Sequence, residues 1–85
     1  MRKRKLPLGN QNIVGARVTK ARTELGMKQV ELLAQLQTQN IDISVPALSL
    51  LEGQKRPVTD KELNALATIL KVTSDWLLGR EEDQG

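Results

Sequence analysis

Trp76 is the only aromatic residue in a chain of 85 residues that has no histidine and no cysteine. A core must therefore be assembled from Leu, Ile, Val and Ala. Such side chains favour close packing of helices over a sandwich of strands, which draws on aromatic residues. The length suits one domain with a single modest core. Without cysteine there is no disulfide framework and no thiolate metal site. Without histidine a zinc site would need carboxylates alone, and the Ser–His and Cys–His nucleophile pairs are excluded. No enzyme activity, cofactor or small-molecule ligand is expected. No apolar run approaches the roughly 20 residues of a membrane span. The opening MRKRKLPLGNQN lacks the apolar stretch of a signal peptide. A cytoplasmic chain with no membrane partner is the expectation.

The formal net charge is +3, but its distribution says more. Arg2, Lys3, Arg4 and Lys5 form a basic run at one end, and Glu81, Glu82 and Asp83 an acidic run at the other. A basic run of this kind is either a solvated tail or an arm that engages nucleic acid. Pro7 and Gly9 argue against continuous helix, so residues 1–9 are read as a flexible basic arm. Residues 10–79 are read as the folded domain, and 80–85 as a disordered acidic tail.

Within the domain, apolar spacing predicts five helices and no strand. Val14, Val18, Ala21 and Leu25 repeat at four, three and four residues, which places them on one face of a helix over 11–25. Asn10 or Asn12 can cap its start, and Gly26 sits where a left-handed stop is wanted. Val30, Leu32, Leu33 and Leu36 predict a second helix over 29–38. Asn40 tolerates a left-handed backbone. Ser44 is the expected cap of a third helix over 45–52, with Pro46 in its first turn and Gly53 at its end. Thr59 followed by Glu62 is a capping-box signature for a fourth helix over 60–70, burying Leu63, Leu66, Ala67 and Leu70. Thr73 or Ser74 then caps a short last helix with Trp76, Leu77 and Leu78, stopped by Gly79. The expected core includes Val18, Leu32, Leu36, Leu48, Leu51, Leu63, Leu66, Leu70 and Trp76.

The second and third helices, joined by a short turn, form a pair that can hold the latter in a DNA major groove. The string RVTKARTELGMKQVELLAQL, followed by ALSLLEGQKRP and ELNALATILKVTSDWLLG, carries a resemblance over residues 13–79. It resembles the phage-repressor and Cro-like (Cro/CI-type) helix-turn-helix family, also called the xenobiotic-response-element family. Arg22, Gly26, Gln29, Leu32, Leu48, Glu52, Lys55, Arg56, Leu63, Leu70, Val72 and Trp76-Leu77-Leu78 stand in the family's order. The stretch from Gln35 to Ser44 is longer than in the shortest members. The resemblance implies a compact all-α, lambda-repressor-like domain of five helices. It also implies sequence-specific binding of double-stranded DNA in transcription control.

The same resemblance implies roles for single residues. Gln29, with Lys28 beside it, would meet the DNA backbone at the start of the second helix, where free N–H groups favour phosphate. Lys55 and Arg56 would lie along the backbone or near the minor groove, where the Arg fork pairs with phosphate oxygens. Arg22 and Glu52 would form a structural ion pair, outside the DNA site.

The third helix departs from what direct readout needs. Ser44, Val45, Pro46, Ala47, Ser49 and Leu50 occupy its start and outer face. Base discrimination draws on bidentate Arg to guanine or Gln/Asn to adenine, and this helix has none of these. Three readings stay open. Readout comes from thymine methyls and groove shape; or the longer turn supplies Gln39, Asn40 and Asp42; or the domain does not read DNA specifically. The leading expectation is a DNA-binding regulator, a repressor acting by occupying its operator, as a homodimer at least on DNA. The alternative is a protein-interaction or antitoxin-like module on the same fold, favoured by the apolar Val45, Pro46, Ala47 and Leu50.

Overall fold

The computed structural model describes residues 9–81. Their order is α1 (Gly15–Glu24), α2 (Gln29–Thr38), α3 (Val45–Glu52), α4 (Asp60–Leu70) and α5 (Ser74–Leu77), with no strand among them. The domain is all-helical. None of the described helices is long and apolar enough to cross a membrane.

One aliphatic core joins all five helices. It holds Val14, Val18 and Ala21 from α1 and the residue before it, Leu32 and Leu36 from α2, and Leu48 and Leu51 from α3. Ala65, Leu66 and Leu70 enter from α4, and Trp76 and Leu77 from α5. Full burial of one such aliphatic side chain is worth about 1.5–3 kcal/mol. The expected core is reproduced except at Leu63, which is only half-buried and packs on the cluster's edge. The inward face of α4 runs through Glu62, Ala65, Leu66 and Leu70 instead, spaced by three, one and four residues. Leu63 stands at the edge of that face, about 100° round the helix from Glu62, and Ala67 lies further round, also half-buried.

Leu25 is a second departure. It lies outside α1 and is 47% exposed. The chain has already begun to turn there, because Gly26 follows with φ 70°. All five helices close in the same manner, through one left-handed residue: Gly26, Asn40, Gln54, Lys71 and Gly79. The amide after each reaches back to a carbonyl of the last turn, as in Met27 N to Arg22 O at 3.0 Å and Ile41 N to Leu36 O at 3.0 Å. Lys55 N to Leu50 O at 2.8 Å, Val72 N to Ala67 O at 3.1 Å and Arg80 N to Asp75 O at 2.8 Å repeat it. These bonds satisfy carbonyls that a helix end leaves open. Gly53 closes α3 as expected, but with φ −84°; the left-handed residue is the next one, Gln54.

Helix starts follow the sequence signals. Ser44, Thr59 and Thr73 side chains accept from the backbone N–H of Ala47, Glu62 and Trp76. Each such cap is worth about 1 kcal/mol. Asn12 does the same before α1, its Oδ1 accepting from Val14 N at 3.0 Å and Gly15 N at 2.8 Å. The helix therefore starts at Gly15 and not near residue 11.

The reason is that residues 9–12 are bonded elsewhere. Gly9 N donates to Gly53 O at 3.1 Å and Gln11 N to Gln54 O at 3.0 Å. Asn12 Nδ2 reaches Leu51 O at 3.1 Å and Arg56 O at 2.8 Å, while Gln54 Nε2 returns a bond to Asn12 O at 2.9 Å. This strap lies across the end of α3. Gly9, expected in a free arm, is part of it; residues 1–8 lie outside the described residues. At the other end, Arg80 and Glu81, expected in a disordered tail, are held. Glu81 Oε1 accepts from Thr73 Oγ1 at 2.8 Å, and its carbonyl lies 3.5 Å from Arg17 Nη1. Residues 82–85, with the tail's Glu82 and Asp83, lie outside the described residues.

Candidate nucleic-acid interface

Glu52, the last residue of α3, is buried. An isolated carboxylate there would be prohibitive, so its partners decide whether the helix can sit as it does. Arg22 of α1 provides two of them, Nε to Oε2 at 2.8 Å and Nη2 to Oε1 at 3.1 Å. Thr19 Oγ1 adds a bond to Oε1 at 3.1 Å, and Gln29 Nε2 another at 3.0 Å. The third nitrogen of Arg22 donates to Met27 O at 2.8 Å, in the turn between α1 and α2. One carboxylate thus ties α1, the first residue of α2 and the end of α3 together. The expected Arg22–Glu52 pair is present.

Gln29 occupies the expected start of α2, but its amide faces inward. One N–H goes to Glu52, and Oε1 lies 3.4 Å from Ser49 Oγ. The second amide N–H and the helix-end N–H groups are what it retains for an outside acceptor. Lys28 is exposed, its backbone N–H held by Glu31 Oε1 at 2.7 Å.

The outer surface of α3 carries Val45 and Leu50, 39% and 46% exposed, with Pro46 and Ser49 exposed and Ala47 half-buried. Ser44 is exposed, but its hydroxyl accepts from Ala47 N at 3.2 Å. Gln39, Asn40 and Asp42, in the turn before α3, are all exposed. Asn40 takes the left-handed conformation with φ 64°, so its side chain is presented by a tight turn.

After α3, Lys55 is exposed. Arg56 is half-buried and forms a fork with Glu62: Nη1 to Oε1 and Nη2 to Oε2, both 3.2 Å. Glu62 Oε1 also accepts from Thr59 N at 3.0 Å, completing the capping box of α4. Arg56 keeps its remaining N–H groups for another acceptor. The loop is braced from behind by Asn12, whose amide binds the Arg56 carbonyl. The residues of the candidate arm, Arg2, Lys3, Arg4 and Lys5, lie outside the described residues.

Sequence reasoning did not single out Thr19, Gln54 or Glu62 as partners of this region. Only Glu62 had a legible signal, and that signal spoke for its backbone bond and not for Arg56. Among the described residues, no three His, Cys, Asp or Glu side chains group to hold a metal ion. No family model, curated protein or solved structure matches the chain.

Proposed function

We propose that this chain is a DNA-binding transcription regulator that represses by occupying its operator, with α2, the turn and α3 as its reading unit. The observation that carries the reading is the buried Glu52 junction. It ties the first residue of α2 and the last residue of α3 to α1, which favours a rigid pair, while the outer surface of α3 stays in solvent. A groove reader needs that rigidity, because base contacts discriminate only when the helix enters at a set register. Lys28 and Lys55, exposed at the two ends of the unit, suit phosphate positioning. Arg56 joins them by exchanging part of its bonding with Glu62. The polar groups for base edges are Ser49, Gln39 and Asn40, and Val45 and Pro46 suit thymine methyls. A dimer on two half-sites is part of the proposal, since one domain of this size covers little DNA.

A second reading, a protein-interaction module, is favoured by a specific observation: Val45 and Leu50 are exposed on a helix without a basic residue. Selection of bound sequences from a random DNA pool, followed by affinity against salt, decides between the two. The proposal expects an enriched motif and a log-affinity that falls linearly with log salt. Absence of binding at low salt overturns it in favour of the interaction module.

A further inference from the structure

The side-chain amide of Asn12 is fully engaged, and its two ends serve different parts of the fold. Oδ1 accepts from Val14 N at 3.0 Å and Gly15 N at 2.8 Å, where α1 begins. Nδ2 donates to Leu51 O at 3.1 Å and Arg56 O at 2.8 Å, across the end of α3 and the loop after it. Two acceptor bonds and two donor bonds are the working capacity of a primary amide. A cap alone would be met as well by Ser, Thr or Asp. Asp has no donor, however, and a hydroxyl has one where two are used. The donor end of Asn12 goes to the loop that carries Lys55 and Arg56.

That loop is held along its backbone. Gly53 O and Gln54 O accept from Gly9 N and Gln11 N, Lys55 N donates to Leu50 O, and Gln54 Nε2 reaches Asn12 O. Gln54 bears two local costs there: its φ is 62°, and its Oε1 is buried with no hydrogen-bond partner among the described residues. Such a conformation persists only where the surroundings over-determine it, and it concentrates at functional sites. Lys55 is exposed and Arg56 half-buried, so both cations stand on a backbone braced from behind.

We infer that Asn12 is a positioning residue for phosphate binding: it holds the Lys55–Arg56 backbone in the shape that the DNA backbone meets, so that little ordering is left to be done on binding. The role rests on the DNA-binding reading. A loop with two cations and no brace can still reach phosphate, but it must be ordered at that moment, and the ordering is subtracted from the affinity. The number of phosphates neutralised, and with it the salt slope, stays the same. Charge and brace thus leave different marks: Lys55 and Arg56 set the slope, and Asn12 sets the affinity at a given slope.

The test is a double-mutant cycle on the full chain, with affinity for a double-stranded DNA oligonucleotide of random sequence measured from low to moderate salt. Asn12→Ser keeps an oxygen three residues before Gly15, as Ser44 stands before Ala47, and lacks the amide donors. It is made in the wild type and in K55A/R56A. Gly9→Ala, whose Cβ would stand 2.2 Å from Gln54 O, disturbs the same brace from its other end and takes the place of Asn12→Ser if that protein does not fold. Trp76 fluorescence reports folding in each. In the wild-type background Asn12→Ser should lower affinity about three- to tenfold, the size of one long side chain newly ordered on binding, with the slope kept. K55A/R56A should flatten the slope by up to about 1.8, close to 0.9 per phosphate released. In that background Asn12→Ser should cost nothing further. An equal loss in both backgrounds, the mark of general damage to the fold, overturns the positioning role, and so does no loss in the wild type. An unchanged slope in K55A/R56A overturns the loop's contact with DNA, and the role of Asn12 with it, while leaving DNA binding by the rest of the domain in place. A wild type that binds no DNA at low salt removes the DNA-binding reading itself.

Discussion

The guanidinium of Arg56 meets both carboxylate oxygens of Glu62, at 3.2 Å each, across the loop that joins α3 to α4. The pair holds a cation of the proposed DNA edge on the protein. It also binds the loop to the capping box of α4, since Glu62 accepts from Thr59 N as well. On the proposed function, a phosphate that draws on the same N–H groups competes with Glu62 for one guanidinium.

Glu62→Gln should release Arg56 without removing the cap, because an amide oxygen can still accept from Thr59 N. The expected result is a rise in DNA affinity of a few-fold and a salt slope steeper by up to about 0.9. Arg56 is partly exposed, so stability should fall by no more than about 1 kcal/mol. Arg56→Ala should weaken binding. Titrations of the two variants at several salt concentrations check both. Unaltered affinity in Glu62→Gln would show that Arg56 makes no use of its release.

Glu52→Leu should destabilise by about 3–5 kcal/mol, because it strands Arg22 in a half-buried place and removes the acceptor of Gln29 and Thr19. Chemical denaturation followed through Trp76 measures the loss. A variant of full stability that has lost DNA binding would move Glu52 from the scaffold to the contact surface.

Lys71→Gly should raise stability by about 0.5–1 kcal/mol. Lys71 is exposed and held at φ 61°, where a Cβ is strained and glycine is not. The same denaturation curve checks it; an unchanged midpoint would mean the left-handed turn carries no strain.

Val45→Arg should increase affinity for all DNA and create a preference for guanine near the start of α3, since Arg can bind guanine O6 and N7 together. Val45 is 39% exposed, so the longer side chain meets solvent and not the core. Selection from a randomised site, wild type against variant at one salt concentration, reads the outcome. An unchanged profile would place the reading surface away from α3.

The five helices and most of their ends were legible in the sequence because their determinants are local; the start of α1, expected near residue 11, was not, since residues 9–12 bond to the end of α3 and the loop after it. A cap needs an oxygen within three residues of the N–H it serves, as with Thr59 and Glu62, and a left-handed stop needs a single tolerant residue, as with Asn40. Aliphatic spacing marked the inward faces, and there the errors were small. Leu63 sits at the edge of the buried face of α4, and Leu25 lies past the last turn of α1. The Arg22–Glu52 pair came from resemblance, not spacing. What only the tertiary structure decided joins residues far apart in the chain. Asn12 bonds to Leu51 and Arg56, Gly9 presses on Gln54, and Gln29 turns its amide inward to Glu52. A hydrogen bond across some forty residues leaves no periodicity to read. It depends on where whole helices come to rest, and that is set by how Val18, Leu32, Leu48 and Leu66 fill one common core.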